Sequence, residues 1–274
     1  VRPHHSSSNS SIRGATSSVT GRHHGIDMVR VEHKHGTTWQ AYWGSAHESW
    51  AWLFLPLRDL PEYQQLFRIR EIIRSNDARE RGFPGFASST NKPGGPGYLS
   101  DAGIQGIGSQ ESRNNNVLAI CGVFPLLLEF SKAPDGGAGN AGLAWLRNML
   151  QAPKMQGLLG GGESSMDDGS SVSHVKTIDG TFPVLLALMG GIDDETAAML
   201  RGSGVYEDFI STIKQKYALA FGTEPLRGPA AYALPDVAVS RGSESLVHSS
   251  EASGIGGTVL ASLVSVLSRH DRNV

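Results

Sequence analysis

Glu163 stands in the stretch LLGGGESSMDDGSS, directly after three glycines, with Asp167 and Asp168 a few residues further on. Asp101 and Glu111 fall in an earlier glycine-rich stretch, Asp179 closes the one that holds Glu163, and Glu48 precedes an apolar run. Trp39, Tyr42, Trp43, Trp50 and Tyr98 lie near the same segments. Carboxylates beside aromatic rings suit a sugar: ring faces stack on the apolar faces of pyranoses, and carboxylates bind hydroxyls. Two carboxyl groups across a glycosidic bond can act as general acid and as base or nucleophile. The candidate catalytic residues are therefore Glu163, Glu111, Asp179 and Glu48, and the candidate substrate-binding residues are Trp39, Trp43, Trp50, Tyr98 and Asp101. Structural duties compete for some of these. Ser45 and Glu48 have the S-x-x-E spacing of a capping box, and Asp179 fits a helix N-cap. Glu163 and Glu111 have no evident structural duty and so lead; Asp167 and Asp168 read as solvated loop charges.

Other chemistries find less support. GIQGIGS resembles a phosphate loop, but no strand precedes it and no lysine follows in register. GGGES lacks the G-x-S-x-G of a nucleophile elbow. His47 and Glu48 begin an H-E-x-x-H pattern that fails at Ala51. The histidines of RHHG and EHKH lie in a polar N-terminal segment read as disordered, which offers no second shell to fix a metal, so neither a metal nor a cofactor is expected. The single cysteine, Cys121, lies in an apolar run and reads as a small buried hydrophobe; with no second cysteine there is no intramolecular disulfide.

The 274 residues carry a formal net charge of −2. A nucleic-acid or membrane-surface partner calls for a basic excess that is missing here. Charged residues make up 18% of the chain and glycines number 34; against the usual ~25% charged and ~7% glycine, this composition implies long loops. No apolar run reaches the ~18 residues of a membrane span, and the first residues, VRPHHSSSNSS, have no apolar signal-peptide core.

The elements that must position these residues are helical. Residues 1–35 lack periodicity and read as disordered. The capping box opens a short helix over about 46–55, ended by Pro56. A second begins near Pro61, where proline suits the first turn. A third is expected over 117–132 with a kink at Pro125, a fourth over 140–151, and a fifth from Asp179 to the pair Gly190–Gly191. A sixth falls into two pieces, 194–201 and 205–221. Residues 225–274 are poorly patterned, with a weak helix near 257–268. The connections at 57–60, 133–139 and 190–193 are short, and those at 82–116 and 152–179 are long. The expected fold is all-α: a helical-hairpin domain over 36–224 with its long loops gathered at one end.

AYWGSAHESWAWLFLP, GYLSDAGIQGIGSQ, GLAWLRNMLQAPKMQGLLGGGESS and TIDGTFPVLLALMGG together resemble the glucoamylase-like (α/α)6-toroid region of bacterial carbohydrate-active proteins, a group that includes endo-β-1,2-glucanases. The resemblance covers roughly residues 38–200. It implies a toroid with a carboxylate-lined cleft, an oligosaccharide or polysaccharide substrate, glycoside hydrolase or transglycosylase activity, and a secreted or periplasmic setting. About three hairpins are visible where a complete toroid has six, so the remainder of a toroid is an expected partner. A non-catalytic glycan-binding or interaction domain on the same scaffold is the alternative.

Overall fold

The computed structural model describes residues 17–23, 26–42, 44–100, 102–109, 116–132, 141–152, 155–157, 160–228 and 231–236. Trp43, Asp101, Glu111 and the helix expected near 257–268 lie outside the described residues. In chain order the elements are β1 (Ser17–His23), β2 (Ile26–His33), β3 (Gly36–Trp39), α1 (Ala51–Phe54), α2 (Pro61–Glu80), β4 (Thr90–Asn91), β5 (Tyr98–Leu99), β6 (Val117–Ala119), α3 (Phe124–Lys132), α4 (Ala141–Leu150), β7 (Gln156–Gly157), β8 (Gly160–Gly161), β9 (Ser164–Met166), α5 (Ile178–Leu188), α6 (Asp193–Gly202) and α7 (Tyr206–Phe221). Helices carry the core, as expected. Leu126, Leu127 and Leu128 of α3, Trp145 and Met149 of α4, and Ile72 and Ile73 of α2 are almost wholly buried, and α3 packs against both α4 and α5. No helix among the described residues is long and apolar enough to cross a membrane.

Local signals placed several helices well. Pro61 opens α2 in its first turn. The Ser45 and Glu48 capping box is formed, over a 3₁₀ turn at Ala46–Ser49 that runs into α1. Three expectations need correction. Ser17–His23 and Ile26–His33, assigned to a disordered segment, form β1 and β2, which pair antiparallel with each other and then, through β2, with β3. The physical reason is tertiary: β3 and α7 supply the neighbours that a short polar strand needs, and Arg30 reaches Glu224 at 2.6 Å. The helix expected over 117–132 starts only at Phe124, because Val117–Ala119 pair as β6 and Ile120–Val123 form a 3₁₀ turn. Pro125 then sits in the first turn, where its missing N–H leaves no bond unmade, and there is no reason for a kink. Finally, the N-cap of α5 is Thr177, whose hydroxyl accepts from Gly180 N at 3.2 Å; Asp179 lies in the first turn.

The described residues after α7, 222–228 and 231–236, form no helix or strand, yet they are strapped to α2 and α4. Gln65 Nε2 donates to Leu226 O at 2.9 Å, Ala233 N to Ser75 Oγ at 3.1 Å, and Trp145 Nε1 to Ala233 O at 2.7 Å. Tyr232 buries its ring and donates its hydroxyl to Glu129 at 3.2 Å. These bonds satisfy backbone groups that a coil on an apolar surface would otherwise leave unpaired.

Candidate active site

Glu163 immediately precedes β9. Pairing of β9 with β6 brings the second long loop onto the segment that enters α3, with Val117 opposite Met166, Leu118 opposite Ser165 and Ala119 opposite Ser164. The ladder continues one step further, where Ile120 N donates to Glu163 O at 3.1 Å. The glycine before Glu163 serves close packing: a Cβ on Gly162 would come within 2.6 Å of Val172 Cγ1 and 3.1 Å of Met155 Sδ. The loop is thus a tightly seated support and not a solvated linker.

The Glu163 side chain turns inward, and the residue is 6% exposed. Its Oε1 accepts from Thr90 Oγ1 at 3.2 Å, Asn91 N at 3.0 Å and Asn91 Nδ2 at 3.0 Å. Its Oε2 accepts from Thr177 Oγ1 at 2.8 Å and Asn91 Nδ2 at 3.2 Å. All these donors are neutral, and they come from β4 and from the cap of α5. A buried carboxylate without such donors would be strongly disfavoured. The first turn of α5 closes on the same side chain. A Cβ at Gly180 would lie 2.9 Å from Glu163 Cγ, so glycine is what permits the approach, and the positive end of the helix faces the carboxylate.

Tyr98 on β5 is the register partner of Asn91 on β4. Its ring is 54% exposed. Partial burial is the main cause pushing its phenol pKa up, and the neighbouring Cys121, Glu163 and Asp179 push the same way. Asp179, exposed on the first turn of α5, also acts on His47. The His47 imidazole is held below its ordinary pKa of 6.5, chiefly by burial; Arg74 adds to this, while Glu48 and Asp179 oppose it. His47 Nδ1 lies 3.0 Å from Ser88 Oγ, and its ring lies near-parallel to Trp50 at 6.2 Å between centroids.

Cys121 is buried, as its apolar run implied. Burial pushes its thiol up to about 11, and the charge of Glu163 adds to this against a hydrogen bond with Ser88. At pH 8 roughly one thiol in 10³ is then ionised, and the thiolate is the reactive form. Cys121 should therefore resist a disulfide reagent in the native protein at pH 8 and react once urea unfolds it. Rapid stoichiometric labelling of the folded protein would contradict this environment.

The fold thus gathers Glu163, Asp179 and Tyr98 among the candidate residues and adds His47, Ser88, Thr90, Asn91 and Thr177, which sequence reasoning had not selected. Thr177 had a readable signal, a threonine just ahead of an apolar helix; the others had none. Two candidates serve the scaffold. Trp39 is 1% exposed and packs on Phe221 at 5.1 Å, so its ring is closed off from any sugar. Glu48 Oε2 accepts from Ser45 N at 2.9 Å and Ser45 Oγ at 3.2 Å, the capping duty. Trp50 is half-buried between His47 and Phe124. A cavity of about 940 Å³ lies away from this cluster, between α2, the end of α7 and the strap that follows. A recess of about 290 Å³, lined by Gly162, Ser171, Ser173, His174 and Lys176 among others, adjoins the Glu163 loop. No three His, Cys, Asp or Glu side chains among the described residues are grouped to hold a metal.

The core is built of helices, and the long loops between them seat Glu163 and display Tyr98, the layout of the α/α-toroid class of scaffold. Within that class, residues 25–251 match the family model for endo-β-1,2-glucanase SGL, glycoside hydrolase family 162, and the chain belongs to this family. Two solved structures agree: endo-β-1,2-glucanase from Talaromyces funiculosus in complex with sophorose, and a glutamate-to-glutamine mutant of that enzyme with β-1,2-glucan. Each is 28% identical, with a TM-score of 0.69 over 84% of this chain. The chain spans 44% of the length of those matched chains. No curated protein matches.

Proposed function

We propose that this chain supplies one wall of an endo-acting β-1,2-glucan hydrolase, with Glu163 as a reacting carboxylate. The observation that carries the reading is the family match over residues 25–251, which contains Glu163 and the whole of its hydrogen-bonded setting. Asp179 is the second carboxylate of choice, since it is exposed on the turn of α5 that closes over Glu163. Hydrolysis divides two tasks between such groups. One carboxylic acid passes its proton to the glycosidic oxygen as the bond to the anomeric carbon breaks, and one carboxylate takes a proton from the attacking water or attacks the sugar itself. Tyr98 offers an exposed ring face opposite Asn91, the half-buried Trp50 stacked on His47 is the second aromatic candidate, and further helical hairpins complete the toroid around this wall.

The test is incubation of the protein, with the hairpins that complete the toroid present, with linear β-1,2-glucan and, in parallel, with β-1,3-, β-1,4- and α-1,4-glucans. The expected result is short oligosaccharides released from β-1,2-glucan alone, with reducing ends rising as chain length falls. Saturable binding of β-1,2-glucan with no new reducing ends would overturn the hydrolase reading in favour of a glycan-binding domain.

A further inference from the structure

We propose that Thr177 and Asn91 are positioning residues for Glu163: they form a clamp that ties the orientation of this carboxylate to the docking of α5 and of the β4–β5 hairpin. The inference rests on the reading of Glu163 as a reacting group and says what holds it in place. Thr177 performs two tasks with one hydroxyl. As acceptor it takes Gly180 N at 3.2 Å and caps α5, and as donor it reaches Glu163 Oε2 at 2.8 Å. Asn91 grips from the other side, with its backbone N–H on Oε1 at 3.0 Å and its side-chain amide on both oxygens at 3.0 and 3.2 Å. The grip is itself anchored, because Ser164 Oγ donates to Asn91 O at 2.5 Å. A glutamate has three rotatable side-chain bonds, and donors on both oxygens leave it one orientation. Gly180 removes the remaining slack, since its missing Cβ lets the helix rest against Glu163 Cγ. Tyr98 stands opposite Asn91 on the hairpin, so a sugar seated on Tyr98 would be registered against the carboxylate through two paired residues.

A residue acting only as a helix cap can be told from one that also aims a carboxylate. Thr177→Ser keeps both uses of the hydroxyl and should leave kcat and KM on β-1,2-glucan within about two-fold. Thr177→Asp keeps an excellent capping group but replaces the donor to Oε2 with a second negative charge. It should lower kcat by on the order of 10²-fold, the cost of a misplaced reacting group, with KM within a few-fold because the sugar-contacting rings are untouched. Full turnover in Thr177→Asp would reduce Thr177 to a cap and overturn the proposal. A second measurement keeps the clamp testable if the wild-type protein has no turnover, a result that would count against the hydrolase reading alone. In urea unfolding of wild type, Thr177→Val, Glu163→Gln and the double variant, the midpoint shifts should be non-additive, as for partners in one hydrogen-bonded network. Strictly additive shifts would show that the two side chains do not act together.

Discussion

Glu163→Gln should cost about 10²–10⁴-fold in turnover of β-1,2-glucan while the protein remains folded. The amide has the shape of the acid, so Thr90 and Asn91 still find an acceptor at Oε1. At the other end an NH₂ group replaces Oε2. It meets Thr177 Oγ1, which can turn to accept, and Asn91 Nδ2, which cannot. Loss of stability should then be of the order of one hydrogen bond, about 1 kcal/mol, too little to unfold a domain of ordinary stability. What is lost is the negative charge and the basic oxygen that a reacting carboxylate supplies. Initial rates on β-1,2-glucan, with circular dichroism as the check on folding, read both outcomes. Wild-type rates in Glu163→Gln would remove this residue from the chemistry and leave its buried donors as a purely structural arrangement.

Arg74→Ala should destabilise the protein by about 3–5 kcal/mol, because it leaves a buried carboxylate without its charge partner. Arg74 Nη1 lies 2.6 Å from Glu71 Oε2, Nη2 donates to Gly122 O at 2.6 Å, and the guanidinium covers the Phe86 ring at 5.0 Å. Glu71 is 0% exposed, and its other oxygen has no partner. Burial, the largest influence, pushes the Glu71 carboxyl pKa above its ordinary 4.5, while Arg74 pulls it down and Glu129 reinforces the rise. A carboxyl group whose pKa is raised by folding binds its proton more readily in the folded chain. The stability it contributes is complete below 4.5 and is lost as pH rises through the raised value. Glu71→Gln escapes that loss, so its stability relative to wild type should improve as pH climbs above 4.5. Urea unfolding across this range checks both variants. An Arg74→Ala protein as stable as wild type would mean that water reaches Glu71.

The site lies close to this pair. Gly122, which Arg74 holds, follows Cys121 in sequence, and a Cβ there would come 2.8 Å from Phe86 Cβ. Loss of Arg74 should therefore disturb the floor beneath Ser88 and Glu163 as well as the core.

Much of the helical framework was legible because its signals are local. A serine three residues ahead of a glutamate makes a capping box wherever the chain turns into a helix, and Ser45 with Glu48 did so. A proline at the start of an apolar periodic run marks a first turn, as Pro61 did for α2. The pair Gly190–Gly191 followed the end of α5, and the piece expected over 205–221 is α7. Elimination left Glu163 and Glu111 as the carboxylates with no capping or helical duty of their own, and Glu163 stands directly after three glycines.

The partners of Glu163 were not legible, because none of them announces itself by spacing. Asn91 and Thr90 precede it by 72 and 73 residues and meet it only through the β4–β5 hairpin. The pairing of β6 with β9, which seats the glutamate, joins a segment read from sequence as the start of a helix to one that looks like irregular loop. Strands β1 and β2 escaped notice because β1 is polar and β2 is a short run inside a Ser- and His-rich segment, and their stability comes from β3, α7 and an ion pair spanning 194 residues. Trp39 illustrates the same limit from the other side: a tryptophan near a candidate cleft can be a platform or core, and only the arrival of Phe221 from α7 decided for core.

Sequence alone therefore determined where most of the helices run and which loops are long, and it narrowed the carboxylates without a structural duty to Glu163 and Glu111, since each of these readings depends on residues within one or two turns of one another. Tertiary structure decided that Glu163 is buried, that Thr177 and Asn91 hold it, and that Gly162 ahead of it serves close packing. Those outcomes depend on which surfaces meet, and a hydrogen bond or a steric approach between distant segments leaves no periodic trace in the chain.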